Sequence, residues 1–242
     1  MITLDCVLEL KNIKKLYKNN RGVNDISLKI NKGNVYGLLG ENGSGKTTIM
    51  KIITGLINKY EGECLFMGQN IKDNFEESIY HMGALIENPA FYDYMSPLEN
   101  LKLIAKYYTK EEITLDDIHQ KLKLVNLFEV KNDKLKNFSF GMKQRMGLAM
   151  AMINNPSFYI LDEPSNGLDI KGIMEIREIL LNITRTGQAT VLISSHQASE
   201  IEKLCTHVGI INQGELKNSS SREEILENYP SVEDYFVAKV GR

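Results

Sequence analysis

The sequence predicts an α/β fold with a mixed, mostly parallel sheet, an antiparallel β part and an inserted all-helical segment. Apolar runs such as "VYGLL", "FYIL" and "ATVLIS" are short, rich in β-branched and aromatic residues, and are followed by helical spacing, as expected of buried parallel strands. From about 88 to 155 the strand signals vanish and only helical periodicity remains. A glycine-rich loop, "GENGSGKTT", joins one buried strand to one helix. At 242 residues the chain is long enough for one domain, and a domain of that size buries roughly 70–75% of its unfolded surface without staples.

The elements follow in order. "VLELKNIKKLY" alternates loosely and reads as a first strand, and "GVNDISLKIN" as a second, closed by a turn at Lys32-Gly33. Val35–Leu39 is a buried strand. The glycine loop then opens a helix predicted over Lys46–Ile57, with Ile49, Ile52, Ile53 and Leu56 on one face. "GECLFMGQNI" is a hairpin turning at Met67-Gly68. In the helical segment, Leu98, Leu101, Leu103 and Ile104 mark one face, and Ile118, Leu122, Leu124 and Val125 another. Met142, Met146, Ala149, Met150 and Ile153 mark a third that stops before Asn155-Pro156; the methionines read as core filler. Strands return with "FYILDEP". A helix Gly172–Thr186 is closed by Gly187, then come the strand "ATVLISSH", a short helix around Glu200–Leu204 and the strand and hairpin "VGIINQGEL". From Asn218 a surface helix and a loosely held tail are expected. The whole is one domain, with a core over 1–87 and 156–217, a helical subdomain over 88–155 and a tail over 218–242.

Composition narrows the function. With 29 basic and 31 acidic residues, the net charge of -2 gives no general attraction to nucleic acid or anionic lipid. Three scattered cysteines without Cys-x-x-Cys spacing argue against a disulfide framework or zinc site and point to a reducing compartment. "MITLDCVLEL" lacks the cationic-then-apolar order of a secretory signal. No window approaches 18 apolar residues, so action at a membrane needs a span from another chain.

The stretch Gly40–Thr48 fits G-x-x-x-x-G-K-[ST] through Gly40, Gly45, Lys46 and Thr47, with a strand before and a helix after. Around Asn42, Gly43 and Ser44 such a loop wraps so that backbone N–H groups face phosphate oxygens, and the helix N-terminus adds partial positive charge. Lys46 bridges the outer phosphates, Thr48 lies in the same stretch, and the Thr47 hydroxyl ligates Mg²⁺. "FYILDEP" supplies Asp162, which can hold the metal through Thr47 or a water, and Glu163, which can orient or deprotonate an attacking water. The competing readings, a chance glycine turn and an acidic strand end, do not explain the pairing of the two motifs. The pairing predicts a P-loop NTPase core with a helical insertion and points to nucleoside-triphosphate hydrolysis as the expected reaction.

Between these motifs lies "NFSFGMKQRMGLA", and after them "SNGLD" and "ISSH". That order and spacing resemble the ATP-binding subunits of ABC transporters, over about Val7 to Leu216. The resemblance implies ATP and Mg²⁺ as ligands and a dimer that sandwiches two ATP molecules. It implies a membrane permease as partner, a cytoplasmic location on the inner face of the membrane, and no nucleic acid. It assigns Tyr17 to the adenine, against the plainer reading of a strand-end tyrosine. It assigns Ser139 and Gly141 to the signature motif that reaches the ATP of the partner copy, and Asp169 to the loop that crosses the dimer. His196 is assigned to the γ-phosphate, although a lone strand-end histidine is more often structural. The chain reads Phe138-Ser139-Phe140-Gly141-Met142 where the family commonly has Leu-Ser-Gly-Gly-Gln, keeping the serine and one glycine.

Glu87, in "LIENPAFY", takes the place of a glutamine usual in the family at the loop entering the helical segment. An ionised glutamate only accepts hydrogen bonds and adds negative charge, which favours Mg²⁺ and repels a bare γ-phosphate. Glu87 is therefore a candidate metal-facing and catalytic residue. With "NPAFY", "SPLENL", "S-x-G-M-K-Q-R" and the ending "SVEDYF", it resembles the branch serving bacitracin-type and lantibiotic resistance and immunity exporters. Two other classes compete. A single-cassette assembly or regulatory ATPase would lack a co-purifying membrane protein, and a P-loop kinase would have no use for "FSFGMKQR", "SNGLD" and "ISSH".

Overall fold

In the computed structural model, residues 5–18, 21–108, 112–185, 187 and 189–241 are described. Two sheets form from the strand signals. The first is antiparallel: β1 (Cys6–Leu16) pairs with both β2 (Gly22–Asn31) and β4 (Glu61–Phe66), and β4 turns at Met67-Gly68 into the short β5 (Gln69–Asn70). The second joins β3 (Val35–Leu39), β6 (Met82–Leu85), β7 (Phe158–Asp162), β8 (Thr190–Ser195), β9 (His207–Asn212) and β10 (Glu215–Ser221) in the order β10-β9-β3-β8-β7-β6. All its pairings are parallel except the β9–β10 hairpin.

Both faces of this second sheet are covered, which is why its strands read as continuous apolar runs rather than alternating ones. Alternate residues serve two cores. Tyr36, Leu38, Phe158, Ile160 and Leu192 pack with the antiparallel sheet and with α1 (Lys46–Ile53). Val35, Leu39, Tyr159, Leu161, Val191 and Ile193 pack toward the other helices.

α1 is shorter than its periodicity predicts. Thr54 caps it, and Gly55 follows at φ 72, the left-handed geometry that ends helices. A Cβ at Gly55 would also stand 2.2 Å from the Phe75 ring. Leu56, expected on the buried face, is 67% exposed. α2 (Phe75–Tyr80), a six-residue helix the sequence does not announce, leads into β6. Among the described residues of 88–155 the regular elements are all helical: α3 (Pro97–Tyr108), α4 (Leu115–Leu124), a 3-10 turn (Leu135–Asn137) and α5 (Phe140–Ala151). α6 (Ile170–Thr184) begins two residues earlier than expected because Asp169 caps it, accepting a 2.8 Å hydrogen bond from Gly172 N–H. α7 (Ala198–Leu204) precedes β9.

The C-terminal expectation is corrected. β10 continues through Ser221, and α8 (Arg222–Asn228) and α9 (Val232–Val240) are docked rather than loose. Ile225, Val232 and Tyr235 join the core, and the Val232 N–H donates to Glu202 Oε2 at 2.8 Å. The apolar side chains of this stretch fall on no single face that the sequence marks as buried: Ile225, Val232 and Tyr235 are covered while Leu226 and Val237 are exposed.

Candidate functional site

The glycine loop leaves β3 and returns as α1, whose N-terminal cap is Gly45 at φ 114. A side chain there would strike Val23 at 2.7 Å, so the close approach of β2 to the loop requires glycine. On the open side, a Cβ at Gly43 would meet nothing within 4 Å, so the loop faces unfilled space. That space is a cavity of 310 Å³ lined by Tyr17, Asn42, Gly43, Gly45, Lys46, Thr47, Thr48 and Glu163, together with Arg21 and Gly22. Tyr17 is exposed at its mouth. The hydroxyl of Ser44 is buried without a hydrogen-bond partner.

Lys46 is only 4% exposed. An ammonium has three protons to place. Its Nζ donates to Gly40 O at 2.7 Å and Glu41 O at 3.1 Å, and pairs with Glu163 Oε1 at 3.1 Å. Asp162, at 6% exposure, accepts from the Thr47 hydroxyl at 2.7 Å through Oδ2 and from the Ser194 hydroxyl at 2.6 Å through Oδ1. Glu163 stands in the left-handed region at φ 46, with its N–H donating to Ser194 Oγ at 2.9 Å. Its second carboxylate oxygen lies 3.0 Å from His196 Nδ1. The ends of β3, β7 and β8 thus bring Lys46, Thr47, Asp162, Glu163 and His196 into one cluster.

Ser194 was missed by sequence reasoning. It pairs in register with Asp162 across β7 and β8 and is wholly buried. The available signal was a serine directly after the apolar run Val191–Ile193 of a buried strand, where a hydroxyl needs a partner.

Ser139, Gly141 and Asp169 gather elsewhere, around a 380 Å³ cavity that shares no lining residue with the first. Ser139 caps α5, accepting from Met142 N–H at 3.3 Å. Phe140 is half-exposed on the first turn of α5, against Gly167. Glu87, at φ 57, does not line the glycine-loop cavity; its Oε1 sits 2.7 Å from Lys51 Nζ, on α1. The residues after it line a third and larger cleft of 770 Å³, between the edge strand β6, α3 and α5, with Phe91, Leu103, Tyr107 and Met150 in its walls. Tyr107 is 80% exposed there. Among the described residues, no helix is long and apolar enough to cross a membrane.

The family model for ABC transporters matches residues 23–166. The chain belongs to the ABC transporter family. It is an ATP-binding subunit of that family and an ATPase, built on the α/β P-loop fold. The cassette is 39% identical to a lantibiotic transport ATP-binding protein of Streptococcus pyogenes, covering 92% of this chain and 96% of the relative. It is 37% identical to a bacitracin transport ATP-binding protein of Enterococcus faecalis, covering 93% of this chain and 72% of the relative. Among solved structures, the ATP-binding subunit of an ABC transporter superposes with a TM-score of 0.84 at 26% identity, covering 97% of this chain and all of the other. A dimeric cassette bound to ADP and phosphate shares the fold, with a TM-score of 0.78 at 24% identity over 89% of this chain and 98% of the other.

Proposed function

We propose that this cassette hydrolyses Mg²⁺–ATP as one half of a two-copy nucleotide sandwich and drives a separate permease that expels a peptide antibiotic of the lantibiotic or bacitracin type. The observation that carries the hydrolytic part is the cluster of Lys46, Thr47, Asp162, Glu163 and His196 at one end of the parallel strands. The substrate class is supported by the names of the two transport relatives and by their coverage of over nine-tenths of this chain.

The residues fit the nucleotide and its metal. The Thr47 hydroxyl and the Asp162 carboxylate are hard oxygen donors on adjacent elements, and Mg²⁺ characteristically takes one or two carboxylates together with substrate phosphates. Thr47 and Asp162 would hold the ion, with Glu87 as an added acidic ligand; it would supply neutralisation of phosphate charge. Tyr17 lies against the adenine, and Asn42, Gly43, Ser44, Gly45 and Thr48 present N–H and hydroxyl groups to the phosphates. Lys46 turns the donor now on Glu163 toward phosphate oxygen. Glu163 is then free to accept the proton of the attacking water, whose oxygen bonds to the γ-phosphorus as the bond to the ADP oxygen breaks. His196 donates to the γ-phosphate beside it.

Ser139 and Gly141 complete the site in trans, and Asp169 links the two sites. Their cavity lies apart from the phosphate cavity of the same chain, and this favours a second copy as the source of each missing wall. The 770 Å³ apolar cleft beside Glu87 is the surface we assign to the permease, which would hold the chain at the inner face of the membrane. The working unit is one nucleotide-binding domain over 1–242, with its core in 1–87 and 156–217, its helical part in 88–155 and its tail in 218–242, of which Ile225, Val232 and Tyr235 pack on the core.

The test is a sensitivity panel. The cassette and its genomic-neighbour membrane protein are expressed in a sensitive Gram-positive host and compared with Glu163→Gln against bacitracin, several lantibiotics and unrelated drugs. Protection against one peptide class, lost in the variant, is expected. No protection, with both proteins present and ATPase activity confirmed, removes the peptide-antibiotic assignment.

A further inference from the structure

Thr47 and Lys51 are four residues apart on α1, so their side chains share a face with Cβ atoms about 5–6 Å apart. Thr47 points its hydroxyl at Asp162, while Lys51 holds Glu87 Oε1 at 2.7 Å. The helix that begins the phosphate site is therefore tied, one turn further along, to the loop that walls the apolar cleft. The tie is built to be exchanged. The Glu87 side chain is 61% exposed and that of Lys51 28%, and an ion pair so wet is weak and screened. Glu87 is also a non-glycine residue at φ 57, a conformation kept only where neighbours impose it.

We propose that Lys51 is a positioning residue that competes with the metal for Glu87. The Lys51 ammonium holds the acid at 2.7 Å, and metal loading transfers the acid from one cation to the other, moving the loop that lines the cleft. This rests on the reading of Glu87 as a metal-facing acid. It assigns the cassette a metal threshold set by a residue outside its nucleotide motifs.

The test reads nucleotide binding rather than turnover. The full chain binds a non-hydrolysable ATP analogue, followed by displacement of a fluorescent nucleotide, while Mg²⁺ is titrated from an EDTA-buffered start. Lys51→Met should lower the half-saturating Mg²⁺ by about 2–5-fold, the worth of an exposed pair, and Lys51→Arg should restore it. In a Glu87→Gln background the same Lys51→Met change should have no effect. An equal shift in both backgrounds overturns the proposal, because Lys51 would then act on the site by its own charge. No shift from Lys51→Met, where Glu87→Gln alone raises the Mg²⁺ requirement, overturns it too, and leaves Glu87 as a metal-facing residue. If Glu87→Gln overlays the wild type, the metal reading of Glu87 fails and the proposal falls with it. Thermal unfolding checks that each variant is folded, and Lys51→Gln replaces Lys51→Met if methionine lowers the midpoint.

Discussion

Glu163 and Asp162 are adjacent in sequence yet held in different ways. Asp162 ends β7 with both oxygens taken by hydroxyls, whereas Glu163 turns into the left-handed region and faces Lys46 and His196. This division predicts separate losses. Glu163→Gln should bind ATP and turn over about 10²–10⁴-fold more slowly, the usual worth of a general base. Asp162→Asn should instead raise the Mg²⁺ concentration needed for nucleotide binding; equal Mg²⁺ dependence of the two variants would contradict the division. At this scale the motif residues were legible because phosphate chemistry demands particular side chains at fixed spacing. Ser194 and Lys51 were not. One meets its partner only through strand register, the other only through a loop that folds back onto α1. The structure also places Glu87 on Lys51, which no reading of "LIENPAFY" alone could supply.

α4 shows how an element's ends are secured. The Thr114 hydroxyl and N–H both reach the Asp117 carboxylate, and Asp117 N–H returns a bond to Thr114. The Thr114 hydroxyl, then its backbone N–H, hold the Asp117 carboxyl below its ordinary 3.8. A folded pKa below the unfolded one contributes stability above the unfolded value and loses it as pH falls through the folded value. Thr114→Val should therefore lower the thermal midpoint at neutral pH and matter progressively less in acid below 3.8, measured by calorimetry across pH. The C-terminal helices give a larger effect. Tyr235 is buried among core residues, so Tyr235→Ala should destabilise by about 3 kcal/mol. For a chain of this length that lowers the melting temperature by roughly 6–12 °C. An unchanged midpoint would mean that α9 is not docked. Strongly periodic elements such as α3, α5 and the parallel strands were legible. The early end of α1 hinged on Gly55, and the docking of α9 on a surface built by distant strands.

At the scale of the molecule, three of the concave sites among the described residues bear on the proposed function. The phosphate cavity, the Ser139–Asp169 cavity and the apolar cleft beside Glu87 have separate linings. The sequence names the motif residues of the first two, Ser139, Gly141 and Asp169 in the second, but the cleft emerges only when β6, α3 and α5 come together. A charge in its wall, Leu103→Asp, should abolish co-purification with the permease while nucleotide binding at saturating Mg²⁺ stays within about twofold of wild type, since Leu103 lines the cleft and not the glycine-loop cavity. Loss of nucleotide binding as well would mean that the cleft belongs to the phosphate site. In the proposed sandwich one chain holds only half of each ATP site. Light scattering of Glu163→Gln with and without Mg²⁺–ATP tests it most directly. Twice the monomer mass is expected with nucleotide, and reversion to monomer when Ser139→Arg is added. A monomer that binds ATP and never doubles in mass would contradict it.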